Sequence, residues 1–397
     1  GQLDDIRVTE RDFAAGVVVY RFTATHDAFL SLFINDSLSA PLAFALYDVN
    51  PLEIPAAIPI DRAILSANNR TTEIVRLESG DEYYLVVEST TSEFTWAMMN
   101  LHDYDSSSRC HVFWDTRNDD IFEVSWNLDL AQGLMARVVI NGSEVNLSLD
   151  GNNGGQIVFH SLDGSDTMLI EDTLADDTFT GWLDRTVFSI GDLPGGSSPN
   201  GETCVEALGF KQVHMYGRRG GFDKATLYDR TSTGETTARI KLKCEPHLNH
   251  VKTIAPQGLV RVKFFEKVEV FADGAGDQAV FYDSTGDDFF TTSMSLSRMT
   301  GPGYDVIAHG FPFVWAYSTN GSTDQVHFVD SVMKDEFAFK PHKSELFDQV
   351  TGGTVYHIIA RGFERVLAEA HIGAGGRDKA AIWDTVFSDH IETFGNR

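Results

Sequence analysis

Cysteine is scarce in this chain. The 397 residues hold only Cys110, Cys204 and Cys244, which excludes a dense disulfide framework and leaves at least one thiol unpaired within a monomer. Cys204 and Cys244 flank one sequence repeat and could bridge; buried free thiols are the alternative. Basic residues are few, 31 Lys and Arg against 58 Asp and Glu, for a formal charge of −27. That balance argues against nucleic acid and against anionic membrane surfaces as partners. No run approaches the roughly 18 apolar residues of a membrane-crossing helix, and no signal peptide precedes Gly1-Gln2, as at a processed end. Long segments with a helical period are also missing. So are the Gly-x-Ser-x-Gly elbow, the phosphate-binding Gly-Lys-Ser/Thr loop and the dinucleotide fingerprint. The sequence names no specific reaction and leans away from an enzyme.

What the chain has in quantity is a motif spelled most fully at Asp277-Gln-Ala-Val-Phe-Tyr-Asp283-Ser-Thr-Gly-Asp287-Asp288-Phe-Phe290. Copies run from Asp166, Asp223, Asp324 and Asp378, and a worn sixth keeps Asp115, Asp120 and Phe122. In the five full copies two aspartates stand six apart. A third follows five later at Asp177, Asp288, Asp335 and Asp389, where the Asp223 copy has Gly234. Apolar residues alternate between the paired aspartates, as in Ala279/Phe281 and Val326/Phe328, which predicts a short strand with one buried face. The Ser-Thr-Gly-Asp-Asp segment is turn chemistry. The second aspartates, from 115 to 384, are spaced 47 to 57 residues apart.

Residues 1–105 lack the motif. Val17–Phe22, Phe29–Ile34, Leu42–Asp48 and Tyr83–Val87 are rich in β-branched and aromatic residues between polar turns, the pattern of a small β-sandwich. Tyr20-Arg-Phe-Thr-Ala24, Leu42 to Asn50 and Leu77-Glu-Ser-Gly-Asp-Glu-Tyr-Tyr84 resemble the bacterial pre-peptidase C-terminal type of β-sandwich. That resemblance implies an extracellular setting. Asp103–Arg109 reads as a linker, and residues 106–397 hold the six repeats.

Short strands joined by Asp/Gly corners predict that this region is all-β, either a parallel β-helix, which loop variation favours, or a six-bladed β-propeller. Phe264 to Phe289 is similar to a repeat of large secreted bacterial surface proteins, which implies β-helical, calcium-rich arrays.

Two groups of residues are candidates for a site. If equivalent turns stack, Asp176, Asp177, Asp287, Asp288 and Asp335 would line one edge, where repelling carboxylates call for a hard cation such as calcium; turn-making alone is the other reading. The second group is a basic island of Arg239, Lys241, Lys243, Arg261, Lys263 and Lys267, with His250 among them. It suits an acidic polysaccharide. In a lyase His250 and Lys263 would be the catalytic candidates, whereas a solvated loop balancing nearby acids needs no ligand. His247, His250 and Cys244 are too loosely spaced for a structural zinc site. Trp114, Tyr228, Tyr282 and Trp383 share one motif position and would form either a sugar-stacking strip or packing under loops. The expectation is a secreted or surface-displayed structural or adhesive protein; with nothing to cover the last repeat before Arg397, either the chain is cut from a longer protein or it assembles with itself head to tail. A polysaccharide-binding module or lyase is the rival.

Overall fold

In the computed structural model the residues described are 2–3, 16–24, 29–34, 42–65, 71–89, 96–105, 110–115, 119–129, 133–140, 143–149, 155–161, 164–191, 204–234, 240–246, 248–253, 258–272, 276–321, 323–331, 334–348, 356–369 and 379–382. Every regular element among them is a strand, and the sheets mix parallel and antiparallel pairs. The all-β expectation holds. The strands do not group into four-stranded blades.

By its contacts the chain divides into two compact units, Gly1–Glu171 with Val187–Lys211, and Asp172–Thr186 with Gln212–Arg397. The first unit opens with a five-stranded sheet in the order Gln2–Leu3, Gly16–Thr23, Glu82–Ser89, Leu42–Tyr47, Asp61–Leu65. Alternation puts Tyr20, Phe22, Leu42, Phe44, Leu46, Leu85 and Val87 into one core, which Leu30 of the strand Phe29–Ile34 joins. The expected linker is in part a strand. Trp96–Asp105 pairs antiparallel with Cys110–Trp114, from His102 opposite Phe113 to Asp105 opposite Cys110. Residues 106–109 lie outside the described residues. Cys110–Trp114 in turn runs parallel to Gln156–His160, and that strand to Cys204–Leu208.

The second unit carries the repeat through two sheets. One contains, in order, Gln212–Tyr216, Leu259–Lys263, Leu248–Thr253, Ile240–Glu245, Gln278–Tyr282, Phe313–Tyr317, His357–Arg361, Lys343–Asp348, Asp335–Lys340 and Lys379–Ile382. The other runs Thr178–Gly181, Lys224–Tyr228, Lys267–Phe271, Tyr304–His309, Leu296–Gly301, Phe289–Thr292, Gln325–Val329 and Arg365–Glu369. The chain crosses repeatedly from one sheet to the other. At intervals it lays a strand three places ahead, fills the two places between by an antiparallel meander such as Phe289–Thr292, Leu296–Gly301 and Tyr304–His309, and crosses again. Successive motif strands therefore fall in alternate sheets: Lys224–Tyr228 in the second, Gln278–Tyr282 in the first, Gln325–Val329 in the second and Lys379–Ile382 in the first.

Phenylalanine fills the interior. Phe179, Phe265, Phe281, Phe290 and Phe328 in this unit and Phe113, Phe122, Phe159 and Phe188 in the first are all fully buried. Each is worth ~1.5–3 kcal/mol relative to exposure, which accounts for the abundance of 28 in the composition. Cys244 is a free thiol facing inward with them, and burial pushes its pKa far up. The Cys204–Cys244 bridge is accordingly not made.

Candidate functional site

The motif strands from Thr167 to Val329 each start and end at a buried aspartate: Asp277 and Asp283 bracket Gln278–Tyr282, Asp324 and Asp330 bracket Gln325–Val329. Parallel register then sets the third aspartate of one motif beside the first of the next. Phe289 opposite Gln325 places Asp288 next to Asp324, Thr178 opposite Lys224 places Asp177 next to Asp223, and Ile121 opposite Thr167 places Asp120 next to Asp166. The second aspartate completes a three-carboxylate group at two of these places. One carboxylate oxygen each from Asp283, Asp288 and Asp324 lie within 4.8 Å of one another, and so do those of Asp115, Asp120 and Asp166.

The carboxylates are held by turn amides and hydroxyls. Asp283 accepts from the amides of Thr319 (2.7 Å) and Asn320 (2.5 Å) and from the Thr319 hydroxyl (3.0 Å). Asp288 accepts from the Ser284 amide (2.6 Å) and the Tyr304 hydroxyl (2.7 Å). Asp324 accepts from the Asp288 amide (2.8 Å) and the Ser318 hydroxyl (2.7 Å). The pattern recurs: the Thr173 amide donates to Asp177 (2.6 Å), the Asp177 amide to Asp223 (2.9 Å), the Arg219 amide to Asp172 (2.6 Å) and the Asp120 amide to Asp166 (2.7 Å). Such bonds make buried carboxylates tolerable.

Mutual repulsion and burial still tell. Burial, reinforced by the charges of Asp177, Asp172 and Glu266, pushes Asp223 up to about 7. Asp324 is raised mainly by burial, with Asp288 and Asp283 adding. At Asp335 burial also works against the charge, but hydrogen bonds with Asp330, Tyr356 and Ser331 outweigh it and hold the carboxyl below its usual value. The Asp115 and Asp283 groups offer only oxygen donors, as a hard cation prefers. Both could hold a metal ion.

Of the five aspartates singled out in the sequence, Asp177, Asp288 and Asp335 are buried. Asp176 and Asp287 point outward and cap neighbouring turns through the amides of Phe222 (2.7 Å) and Thr323 (3.2 Å). The expected single row does not form, because Thr178–Gly181 and Phe289–Thr292 belong to one sheet and Asp335–Lys340 to the other. The break in the pattern also moves. Lys241 opposite Gln278 puts Ile240, not Gly234, beside Asp277, and the Ile240 amide donates to Asp277 (2.9 Å). Gly234 lies in an inserted turn, its amide bonded to the Thr231 carbonyl (2.9 Å). Asp115, Asp120, Asp166, Asp172, Asp223, Asp283 and Asp324 complete the groups; the six-residue pairing marked most of them, but not which copy each one meets.

The basic island divides. Lys241, Lys243, Arg261 and Lys263 share the first sheet, and register places His250 opposite both Lys243 and Arg261. Lys267 stands in the other sheet, its Nζ 2.5 Å from Glu269 Oε1. Arg239 lies outside the described residues. Lys243 is 2.5 Å from Glu245 Oε1. The aromatic strip resolves into separate ladders. Tyr228 lies between Trp182 (5.5 Å between centroids) and Phe271 (5.2 Å), and Phe271 stacks on His309 (4.4 Å). Tyr282 stacks on Tyr317 and Trp114 on His160. Ring faces are thus turned to one another, which supports packing over sugar stacking; Trp383 lies outside the described residues.

No helix among the described residues is long and apolar enough to cross a membrane. No protein-family model matches the chain, and neither the curated proteins nor the solved structures contain a match to it.

Proposed function

We propose that this is a secreted or cell-surface structural repeat protein, a β-helix-like solenoid whose turns are pinned by calcium in the aspartate triads. The carrying observation is that register gathers carboxylates from sequence-distant copies into the same buried three-oxygen arrangement at Asp115/Asp120/Asp166 and Asp283/Asp288/Asp324. One catalytic centre has no use for a motif repeated along a scaffold, whereas a ladder of equivalent pins does. The resemblance to secreted β-helical repeats points the same way, and so does the acidic composition, which suits a calcium-rich exterior. A further copy of the chain is the natural partner: Arg365–Glu369 and Lys379–Ile382 stand at the ends of their sheets among the described residues, edges to which a strand could add, with Val366, Leu367 and Ile382 exposed on them.

Thermal unfolding with excess calcium and with chelator tests the reading. A ligand at about a hundred times its dissociation constant stabilises by ~2.7 kcal/mol. The melting temperature is expected to rise by several degrees with calcium, and the rise to shrink in Asp283→Asn. Equal melting in both buffers, with no calcium retained after gel filtration, would sink the calcium reading.

A further inference from the structure

The basic residues that the first sheet gathers have a feature that charge counting misses. Its adjacent strands Gln212–Tyr216, Leu259–Lys263, Leu248–Thr253, Ile240–Glu245 and Gln278–Tyr282 set His214 opposite Arg261, Arg261 opposite His250, His250 opposite Lys243, and Tyr216 opposite Lys263. Their burial alternates, with Val213, Met215, Leu242, Cys244 and Val262 inside, so that His214, Tyr216, Lys241, Lys243, Arg261 and Lys263 stand on the outer face. Burial first, then Arg261 and Lys263, lowers the His214 pKa to about 4, which makes it a neutral hydrogen-bonding group at physiological pH.

At the rim of this face the backbone is strained to keep a ring in place. Each returning corner carries a left-handed residue, which is glycine at Gly209, Gly310 and Gly362 and phenylalanine at Phe264, with φ 66°. A Cβ at Gly310 or Gly362 would come within 2.0 Å of the carbonyl oxygen of Ala272 or Ser318. A Cβ at Gly217 would come within 2.9 Å of Asp223 Oδ2 and 3.2 Å of the Phe264 carbonyl oxygen, so the chain beside this corner is packed closely. A bulky residue at positive φ is an outlier that persists only where its surroundings impose it. The Phe264 ring, 38% exposed, lies 5.0 Å from the Arg218 guanidinium, and Tyr216 lies 4.5 Å from it on its own side. Lys263 Nζ is 5.0 Å from the Tyr216 ring, and Lys243 Nζ is 5.3 Å from that of Tyr282. Cations held against aromatic rings are oriented before any ligand arrives.

We propose that this face binds an acidic polysaccharide, with Arg218, Lys263, Arg261 and Lys243 taking its carboxylate or sulfate groups and His214, Tyr216 and Tyr282 its hydroxyls. The choice of polymer follows from spacing and setting. Cations stand on strands roughly 4.8 Å apart, interspersed with hydrogen-bonding side chains and, beside Lys243, with Glu245, which suits a polymer whose acidic groups are interspersed with hydroxyls. Duplex DNA carries a charge about every 1.7 Å and lacks the ring hydroxyls that His214, Tyr216 and Tyr282 would take, while the chain as a whole carries −27. The proposal does not depend on calcium and can fail separately from it.

Affinity electrophoresis in chelator, through gels containing polygalacturonate, heparin, dextran or single-stranded DNA, reads it directly. Retention by polygalacturonate or heparin, absent with dextran and reduced by salt, is expected. Arg218→Ala and Lys263→Ala should each weaken it about tenfold, the loss of one charge-assisted bond. Phe264→Gly installs the residue of the other corners, so it should fold and still bind more weakly. Lys267→Ala, in the other sheet, should leave binding unchanged. Absence of retention by both acidic polysaccharides, equal retention by DNA, or equal losses in Lys263→Ala and Lys267→Ala would overturn the proposal.

Discussion

Asp223 shows what burying a repeated carboxylate costs. Its folded pKa, about 7, lies above the unfolded value of about 3.9, so the folded chain binds a proton more tightly than the unfolded chain does. Stability from this group is fully present below the unfolded pKa and is lost as pH rises through 7. In chelator, Asp223→Asn should therefore gain on the wild type between pH 5 and pH 8, measured as the difference in urea midpoints across that range. A constant difference would contradict the shift. At the corners, Gly310→Ala would drive a Cβ into the Ala272 carbonyl at a positive φ and should cost at least ~1–2 kcal/mol in urea unfolding. Neither residue announces this in the sequence. Gly310 opens a Gly-Phe pair that recurs at Gly209 and Gly362, yet Phe264 occupies the same corner, and only the fold shows that it does so at a positive φ.

Strands were the legible level. Phe29–Ile34 and Leu42–Tyr47 appear where alternation of apolar residues placed strands, and the five-residue strand between paired aspartates recurs in the described copies. What alternation could not carry is the partner of each strand. The same spelling serves both sheets, so nothing in Gln278–Tyr282 or Gln325–Val329 says that they belong to different ones. Misplacing the broken copy at Gly234 had the same origin, since an insertion shifts the equivalent position to Ile240 and pairing alone reveals it. That position offers a test at the level of the turn. Ile240→Asp should destabilise the chain by several kcal/mol in chelator, because a further carboxylate is buried beside that of Asp277. Calcium should recover more stability in the variant than in the wild type. Differential scanning calorimetry in the two buffers checks it, and an equal calcium response in both proteins would argue against equivalence of the sites.

For the molecule as a whole, composition read correctly as all-β, while the candidate sites required long-range pairing. The basic island, contiguous in sequence, loses Lys267 to another sheet and gains Arg218, Tyr216 and His214 from a preceding strand and turn. The third aspartate of one copy meets the first of the next 36 to 46 residues further on.

Alternation of motif strands between sheets also sets a parity rule for growth. A single duplicated copy would deliver every later motif strand to the opposite sheet. Duplicating two consecutive copies, as from Asp229 to Asp330, restores the order. The unit by which such a chain lengthens, in evolution or in the laboratory, is therefore a pair of copies, although the sequence advertises one.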